Sequence, residues 1–322
     1  MGEDSHLKIN AAVGDVPSIN PRLRRPKRPA VNVEALAQGI LAGEDRALAQ
    51  GITLVESTLQ KDHLLKVQLL ERLLPSTGKA FRLGISGVPG VGKSTFLEHY
   101  GLHLLKNDPT AKLAVLAIDP SSTRSGGSIL GDKTRMVALG QHERAFIRPT
   151  ASGGTLGGVA RATKEASLLA EAAGYTHILI ETVGVGQSET AVSQLVDCFL
   201  FLAMPGTGDE LQGIKKGIME MADLIAINKS EGEQRPRAER SAAEIRRALQ
   251  LFSGAPFDWV PPVLLVSALQ SEGFEAVDEA LDRFERHSRA QGWWEEKRSQ
   301  QNLYWFEHQW REGLWEWAQS GP

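Results

Sequence analysis

Six apolar runs punctuate the chain: FRLGISG (81–87), KLAVLAID (112–119), HILIETVG (177–184), CFLFLAMP (198–205), DLIAINK (223–229) and PVLLVSA (262–268). Their apolar residues run nearly without interruption and give way to Gly, Pro, Asp, Asn or Ser. Segments of helical length separate them. This alternation predicts a mostly parallel sheet covered by helices on both faces, an α/β architecture. Ligand chemistry in such sheets gathers at the carboxyl ends of the strands. Upstream, Leu36, Ile40, Leu48, Ile52 and Val55 form one helical series, and Leu64, Leu65, Val67, Leu69, Leu70, Leu73 and Leu74 form another. Gly43 and the polar TLQKD stretch (58–62) mark the breaks between them. Downstream of Ser271 the pattern is again helical, and Leu303, Phe306, Trp310, Leu314 and Trp317 recur at spacings of three and four. That stripe is expected to pack against the domain, with a subunit interface as the alternative. Residues 1–31 lack periodicity and include NPRLRRPKRP, which reads as a flexible basic arm. The expected organisation is therefore an arm (1–31), a helical segment (32–78), the α/β domain (79–285) and a Trp-rich helical segment (286–322).

Composition narrows the class. The 322 residues are 42% hydrophobic and 23% charged, with a net charge of −3, as in ordinary globular chains. A slightly acidic balance gives no whole-chain attraction to nucleic acid or to an anionic membrane. The single cysteine, Cys198, has no partner for an internal disulfide and sits in an apolar run, as a buried strand thiol would. No apolar run approaches the roughly 18–20 residues that span a bilayer. The start, MGEDSH, lacks the basic-then-apolar layout of a secretory signal, and a cytoplasmic location is expected.

The chemistry begins at GVPGVGKST (87–95), which fits G-x-x-x-x-G-K-[ST]. Gly87, Pro89, Gly90, Val91, Gly92, Lys93, Ser94 and Thr95 form the expected phosphate cradle. Its backbone N–H groups turn toward phosphate oxygens, Lys93 reaches the β and γ phosphates, and Ser94 offers its hydroxyl to Mg²⁺. Phosphoryl chemistry also needs a carboxylate near the metal and a group that places water. Glu181 ends one strand; Gly184 follows with an N–H for the γ-phosphate, and Gln187 is a candidate to orient water. Asp119 and Asp132 are further metal-shell candidates, with helix capping as their alternative role. His99 and His103 share a helix face but lack other soft ligands nearby, so they are expected to be structural.

The run AINKSEG supplies Asn228, Lys229 and Glu231 at a strand end. Guanine presents N1–H and its 2-amino group as adjacent donors, and one carboxylate accepts both; adenine offers no such pair. Asn228 is expected to read N7 and O6, and the Lys229 stem to lie along the base. Ser267, Ala268 and Leu269, one strand later, supply backbone support for O6. Glu231 stands where an aspartate is usual, and its extra methylene predicts weaker guanine affinity, by about 1 kcal/mol of side-chain ordering. On that basis Glu231→Asp tightens binding.

Together, GVPGVGKST, IDPSSTRSGGSILGDKTRM, ETVGVGQSE, GTGDELQGIKKGIMEMADL and NKSEG resemble the methylmalonyl-CoA mutase-associated GTPases of the MeaB/ArgK type, from about residue 33 to about 285. The resemblance implies a P-loop G domain that binds GTP and GDP with Mg²⁺ and hydrolyses GTP slowly. It also implies a partner, an adenosylcobalamin-dependent acyl-CoA mutase that accelerates hydrolysis, and a homodimer. The activity implied is that of a chaperone gating loading, protection or repair of the mutase cofactor. By the same resemblance Lys93 and Ser94 match the phosphate and Mg²⁺ contacts, and Asp119, Asp132 and Glu181 match the metal-site carboxylates. Asp209, Gln212 and Lys215 match a third switch, where a lysine brought to the transferring phosphate stabilises developing charge. Two other P-loop readings are a nickel-delivery GTPase, which wants loops richer in His and Cys, and a kinase, which wants an acceptor pocket and a general base.

Overall fold

The computed structural model describes residues 31–119, 136–151, 156–181, 192–206, 221–250 and 258–320. Three helices come first: α1 (Val33–Leu41), α2 (Asp45–Val55) and α3 (Gln60–Leu73). Then follow β1 (Phe81–Gly87), α4 (Lys93–Asn107), β2 (Leu113–Asp119), the short α5 (Val137–Gly140), β3 (Ala145–Ala151), α6 (Leu156–Ala172) and β4 (His177–Glu181). The second half holds β5 (Cys198–Ala203), β6 (Leu224–Ile227), α7 (Arg235–Gln250), β7 (Val263–Leu265), α8 (Phe274–Ala290) and α9 (Trp293–Ser320).

The seven strands form one sheet in the order β3-β2-β4-β1-β5-β6-β7, with every neighbouring pair parallel. The expected mostly parallel sheet is thus fully parallel among the described residues. Alternation along the strands divides the core in two. Ile178 and Ile180, Phe199 and Phe201, and Ile225 and Ile227 face the layer of α1–α3, α6 and α7. Leu83 and Ile85, Leu200 and Leu202, and Leu224 and Ala226 face the layer of α4, α5 and α8. β1 lies between β4 and β5, so the loop leaving its carboxyl end has a strand end on either side.

Two expectations change. β3 is a strand that the hydrophobic pattern missed, because Arg148 and Pro149 interrupt AFIRPTA. It runs along the sheet edge, where a proline costs no ladder bond on the open side. The described side chains of the C-terminal stripe do not pack on the domain: Leu303, Phe306, Trp310 and Leu314 are exposed. The packed face of α9 is the neighbouring one, carrying Trp294, Arg298, Gln301 and Trp305. Trp305 is buried and donates its indole N–H to the Gln194 carbonyl at 3.1 Å. The physical reason is that this face is recruited by charge. Periodicity of apolar residues reports a face that lacks water affinity, not which face finds a partner.

The charge in question is Asp197, 2% exposed, just before β5. Its carboxylate accepts from Arg82 Nη2 at 2.6 Å and from Arg298 at 2.8 Å (Nε) and 2.7 Å (Nη2). Arg82 Nε adds a bond at 3.2 Å and the Arg82 backbone N–H a fifth at 2.9 Å, and Gln301 accepts from Arg82 at 3.2 Å. Lys297 bonds the Asp197 carbonyl at 2.8 Å and reaches the buried Asp223 at 3.4 Å. Burial pushes the Asp197 carboxyl upward, but the Arg82 and Arg298 guanidiniums outweigh it and hold it down to about 2.

The Asp197 pKa is depressed on folding, so its stabilisation is present above the unfolded value, near pH 4, and is lost as pH falls toward about 2. Replacing Asp197 with Asn leaves the buried Arg82 and the partly buried Arg298 guanidiniums without their counter-charge. It is expected to cost about 3–5 kcal/mol at neutral pH in urea unfolding. The variant should also lose much of the decline in stability that the parent shows between roughly pH 4 and pH 2.

Candidate nucleotide site

The phosphate loop grows out of β1 at Gly87, beside Leu202 of β5. A Cβ at residue 87 would run into the Leu202 carbonyl oxygen, so glycine is required for the loop to leave the sheet here. Gly92, which caps α4, has φ of +95°, and a Cβ there would lie 2.8 Å from the Asn228 amide nitrogen. Both glycines of the fixed pattern therefore answer close approaches. Lys93 opens α4 and folds back over the loop, its ammonium donating to the Gly87 carbonyl at 2.8 Å and the Val88 carbonyl at 3.4 Å. The Val91 side chain is wholly buried, and its N–H donates to the Val88 carbonyl at 3.2 Å. That N–H is spent inside the loop. The positive end of the α4 dipole faces the same space, which suits an anion.

Ser94 and Glu181 meet here although 87 residues separate them. β4 pairs with β1 with Ile85 opposite Glu181, which sets Glu181 beside the first turn of α4. The Ser94 hydroxyl donates to Glu181 Oε1 at 3.3 Å, and Glu181 is 6% exposed. A hydroxyl and a buried carboxylate at hydrogen-bond distance form a hard-oxygen set, the donor type that Mg²⁺ prefers. These residues fit that ion. Asp119 ends β2, the strand on the far side of β4.

The second half of the site follows β6. Asn228 is 1% exposed and clasps two loops at once. Its Nδ2 donates to the Val91 carbonyl at 2.8 Å, and its Oδ1 accepts from the Ala268 N–H at 2.9 Å. Only one amide hydrogen of Asn228 then remains for a base. Lys229 has φ of +60° and donates its ammonium to the Gly90 carbonyl at 2.7 Å. Ser230 is bonded twice to the Val266 carbonyl, by its N–H at 3.1 Å and its hydroxyl at 2.8 Å. Glu231 Oε2 is buried and finds no hydrogen-bond partner among the described residues. A buried acceptor left without a donor is costly.

Ser267 and Glu272 close the next loop with a pair of backbone bonds of 3.0 and 3.1 Å, and the Ser267 hydroxyl accepts from the Gln270 N–H at 3.2 Å. The structure thus brings together the 87–95 loop, Glu181, Asn228, Lys229, Glu231, Ser267 and Ala268. Leu269 stands apart, 69% exposed, with no share in the clasp. Asp132, Gly184, Gln187, Asp209, Gln212 and Lys215 lie outside the described residues, as does the Asp119 side chain. Ser230 and Gly273 were not anticipated. Gly273 has φ of +80°, and a Cβ there would meet the Leu265 carbonyl, so it allows the chain to turn into α8. The left-handed glycine four residues after Ala-Leu was the available signal. His99 and His103 bind Ser271 and Asp278, at 3.2 and 2.7 Å.

Comparison with known proteins agrees with this geometry. A family model described as methylmalonyl Co-A mutase-associated GTPase MeaB matches residues 48–321. The GTPase ArgK of Escherichia coli is 46% identical, over 87% of this chain and 85% of its own length. The mouse methylmalonic aciduria type A homolog, mitochondrial, is 47% identical, over 85% of this chain and 68% of its own. Among solved structures, a LAO/AO transport system kinase superposes with a TM-score of 0.75 at 37% identity, covering 89% of this chain and 86% of that one. The P-loop fold, the base-loop clasp and these similarities lead to one conclusion: the chain belongs to the MeaB family of methylmalonyl-CoA mutase-associated GTPases.

Proposed function

We propose that this GTPase acts as a guanine-nucleotide switch on an adenosylcobalamin-dependent acyl-CoA mutase, gating loading, protection or repair of the mutase cofactor. The observation that carries the reading is the match to the mutase-associated GTPase family across residues 48–321. Family membership supports guanine-nucleotide binding and GTPase activity; the client and the slow, partner-stimulated turnover are this proposal's own.

In this reading the N–H groups of the 87–95 loop that are not spent within it, and the Lys93 ammonium, hold the β and γ phosphates. Lys93 exchanges its bonds to the Gly87 and Val88 carbonyls for phosphate oxygens. Ser94 and Glu181 hold Mg²⁺, with Asp119 and Asp132 completing its surroundings. When bound, the ion neutralises charge on the phosphates. Gly184 donates to the γ-phosphate and Gln187 orients water. Asp209, Gln212 and Lys215 form a switch that the mutase rearranges. Glu231 accepts from guanine N1–H and N2, and Asn228 holds the base loop against the phosphate loop. The exposed stripe of Leu303, Phe306, Trp310 and Leu314 supports pairing of two copies through α9.

Phosphate release from GTP is expected to be slow for the isolated chain and to rise when its mutase is added. Lys93→Ala should lower both rates by about 100-fold or more. If no acyl-CoA mutase changes the rate, the chaperone role falls while the GTPase stands. Sedimentation is expected to find a dimer for the parent and a monomer for Trp310→Glu; a monomeric parent removes the dimer from the proposal.

A further inference from the structure

We propose that a cavity at the end of the sheet opposite the nucleotide loops is a second ligand site, one that takes a small organic cation with an apolar body. The cavity measures about 250 Å³ and lies between the starts of β1 and β4, the last turn of α4 and one face of α8. Phe81 and His177, which line it, open their strands, whereas the nucleotide loops leave the carboxyl ends. A rise of about 3.3 Å per residue along β1 puts Phe81 roughly 20 Å from Gly87. No residue of the nucleotide site lines the cavity.

The lining has an apolar part and an anionic part. Phe81, Leu104 and Leu281 belong to the first. The Phe81 ring is fixed by contacts with His177 and Trp294, at 6.4 and 5.8 Å between ring centroids. The second part holds the carboxylates of Asp108, Asp278, Asp282 and Glu285, and no Lys or Arg lines the cavity among the described residues. Two of the four are engaged. Asp278 accepts from the Tyr100 hydroxyl at 2.8 Å and meets His103 Nε2 at 2.7 Å, and Glu285 Oε1 takes Arg289 at 2.8 Å. The other two are not neutralised. Asp282 has neither a side-chain hydrogen bond nor an ion pair among the described residues. Asp108 Oδ1 accepts from the Thr110 N–H and hydroxyl at 2.8 and 2.6 Å, bonds that hold its carboxyl below the ordinary range. Arg144 reaches the Asp108 carbonyl at 2.9 Å, not its carboxylate.

His177 adds no opposing charge. Burial holds its imidazole below the ordinary value, although Asp108, Glu285, Asp278 and Asp282 all pull it upward. The ring is therefore neutral at neutral pH. That balance also shows how poorly water screens this corner, and attraction between unneutralised carboxylates and a cation is stronger where screening is poor. A bare metal ion does not suit the site. Among the described residues no three His, Cys, Asp or Glu side chains converge to hold one, and the apolar lining offers it nothing. An ammonium or amidinium carried on a ring or short chain uses both parts. The volume falls just below the roughly 300–1,000 Å³ of sites for drug-sized ligands, so the occupant is small.

The test uses the full chain saturated with GDP, so that a probe cannot report on the nucleotide site. Calorimetric titration would compare 2-phenylethylamine with 2-phenylethanol and 3-phenylpropionate, which share its body and differ in charge. The amine is expected to bind with a Kd of about 1 mM or tighter, and the alcohol and the carboxylate at least about tenfold more weakly. D282K places a tethered ammonium at the exposed rim. It is expected to weaken amine binding at least about tenfold while the urea midpoint and GDP affinity match the parent's. If the alcohol binds as tightly as the amine, charge plays no part and the inference is overturned. It is overturned equally if folded D282K binds the amine as the parent does, or if the amine shows no binding at about 10 mM.

Discussion

The nucleotide site depends on one side chain that joins two loops distant in sequence. Asn228 donates to Val91 and accepts from Ala268, spanning 137 and 40 residues of chain. A buried amide satisfied on both sides fixes the spacing between a phosphate loop and a base loop more tightly than apolar packing does, because hydrogen bonds weaken steeply with misalignment. Gly92 is the counterpart of this clasp: Asn228 approaches so closely that no Cβ fits. Loss of the Asn228 amide would leave Val91 O and Ala268 N–H as unpaired buried groups, so the clasp matters to folding as well as to ligand.

The sheet makes that spacing reproducible. β1, β4, β5 and β6 bring Gly87, Glu181, Leu202 and Asn228 to one end of the sheet, and parallel pairing sets the offset between neighbours. At the other end, Arg82, Asp197 and Arg298 lock the start of β1 to α9. Opposite ends of the same strands thus do different work. One end opens into loops for chemistry. The other is closed by a buried ionic cluster, whose removal is costly even though its net contribution to stability is modest.

Much of this was legible because it is local. The 87–95 loop is a contiguous pattern, and its glycines and lysine follow from phosphate geometry alone. The central strands announced themselves because burial on both faces leaves almost no polar residue in them. What lay beyond sequence was non-local or masked by a single residue. Pro149 hid β3, since nothing local tells an edge strand from a loop. The packed face of α9 was hidden because its partner is Asp197, about a hundred residues earlier, so a face carrying Arg298 and Gln301 is the buried one. Glu231 was recognised, but its burial depends on where Ser230 is tied, and no spacing rule encodes that.

The lysine of the phosphate loop has a kinetic consequence. Lys93 bridges the carbonyls of Gly87 and Val88, so the loop holds its own cation before any phosphate arrives. A preshaped loop spends little of its binding energy on gathering itself. An arriving nucleotide then waits mainly on diffusion and on the exchange of one ammonium between acceptors. Differences in affinity among nucleotides should accordingly be expressed in how long each stays.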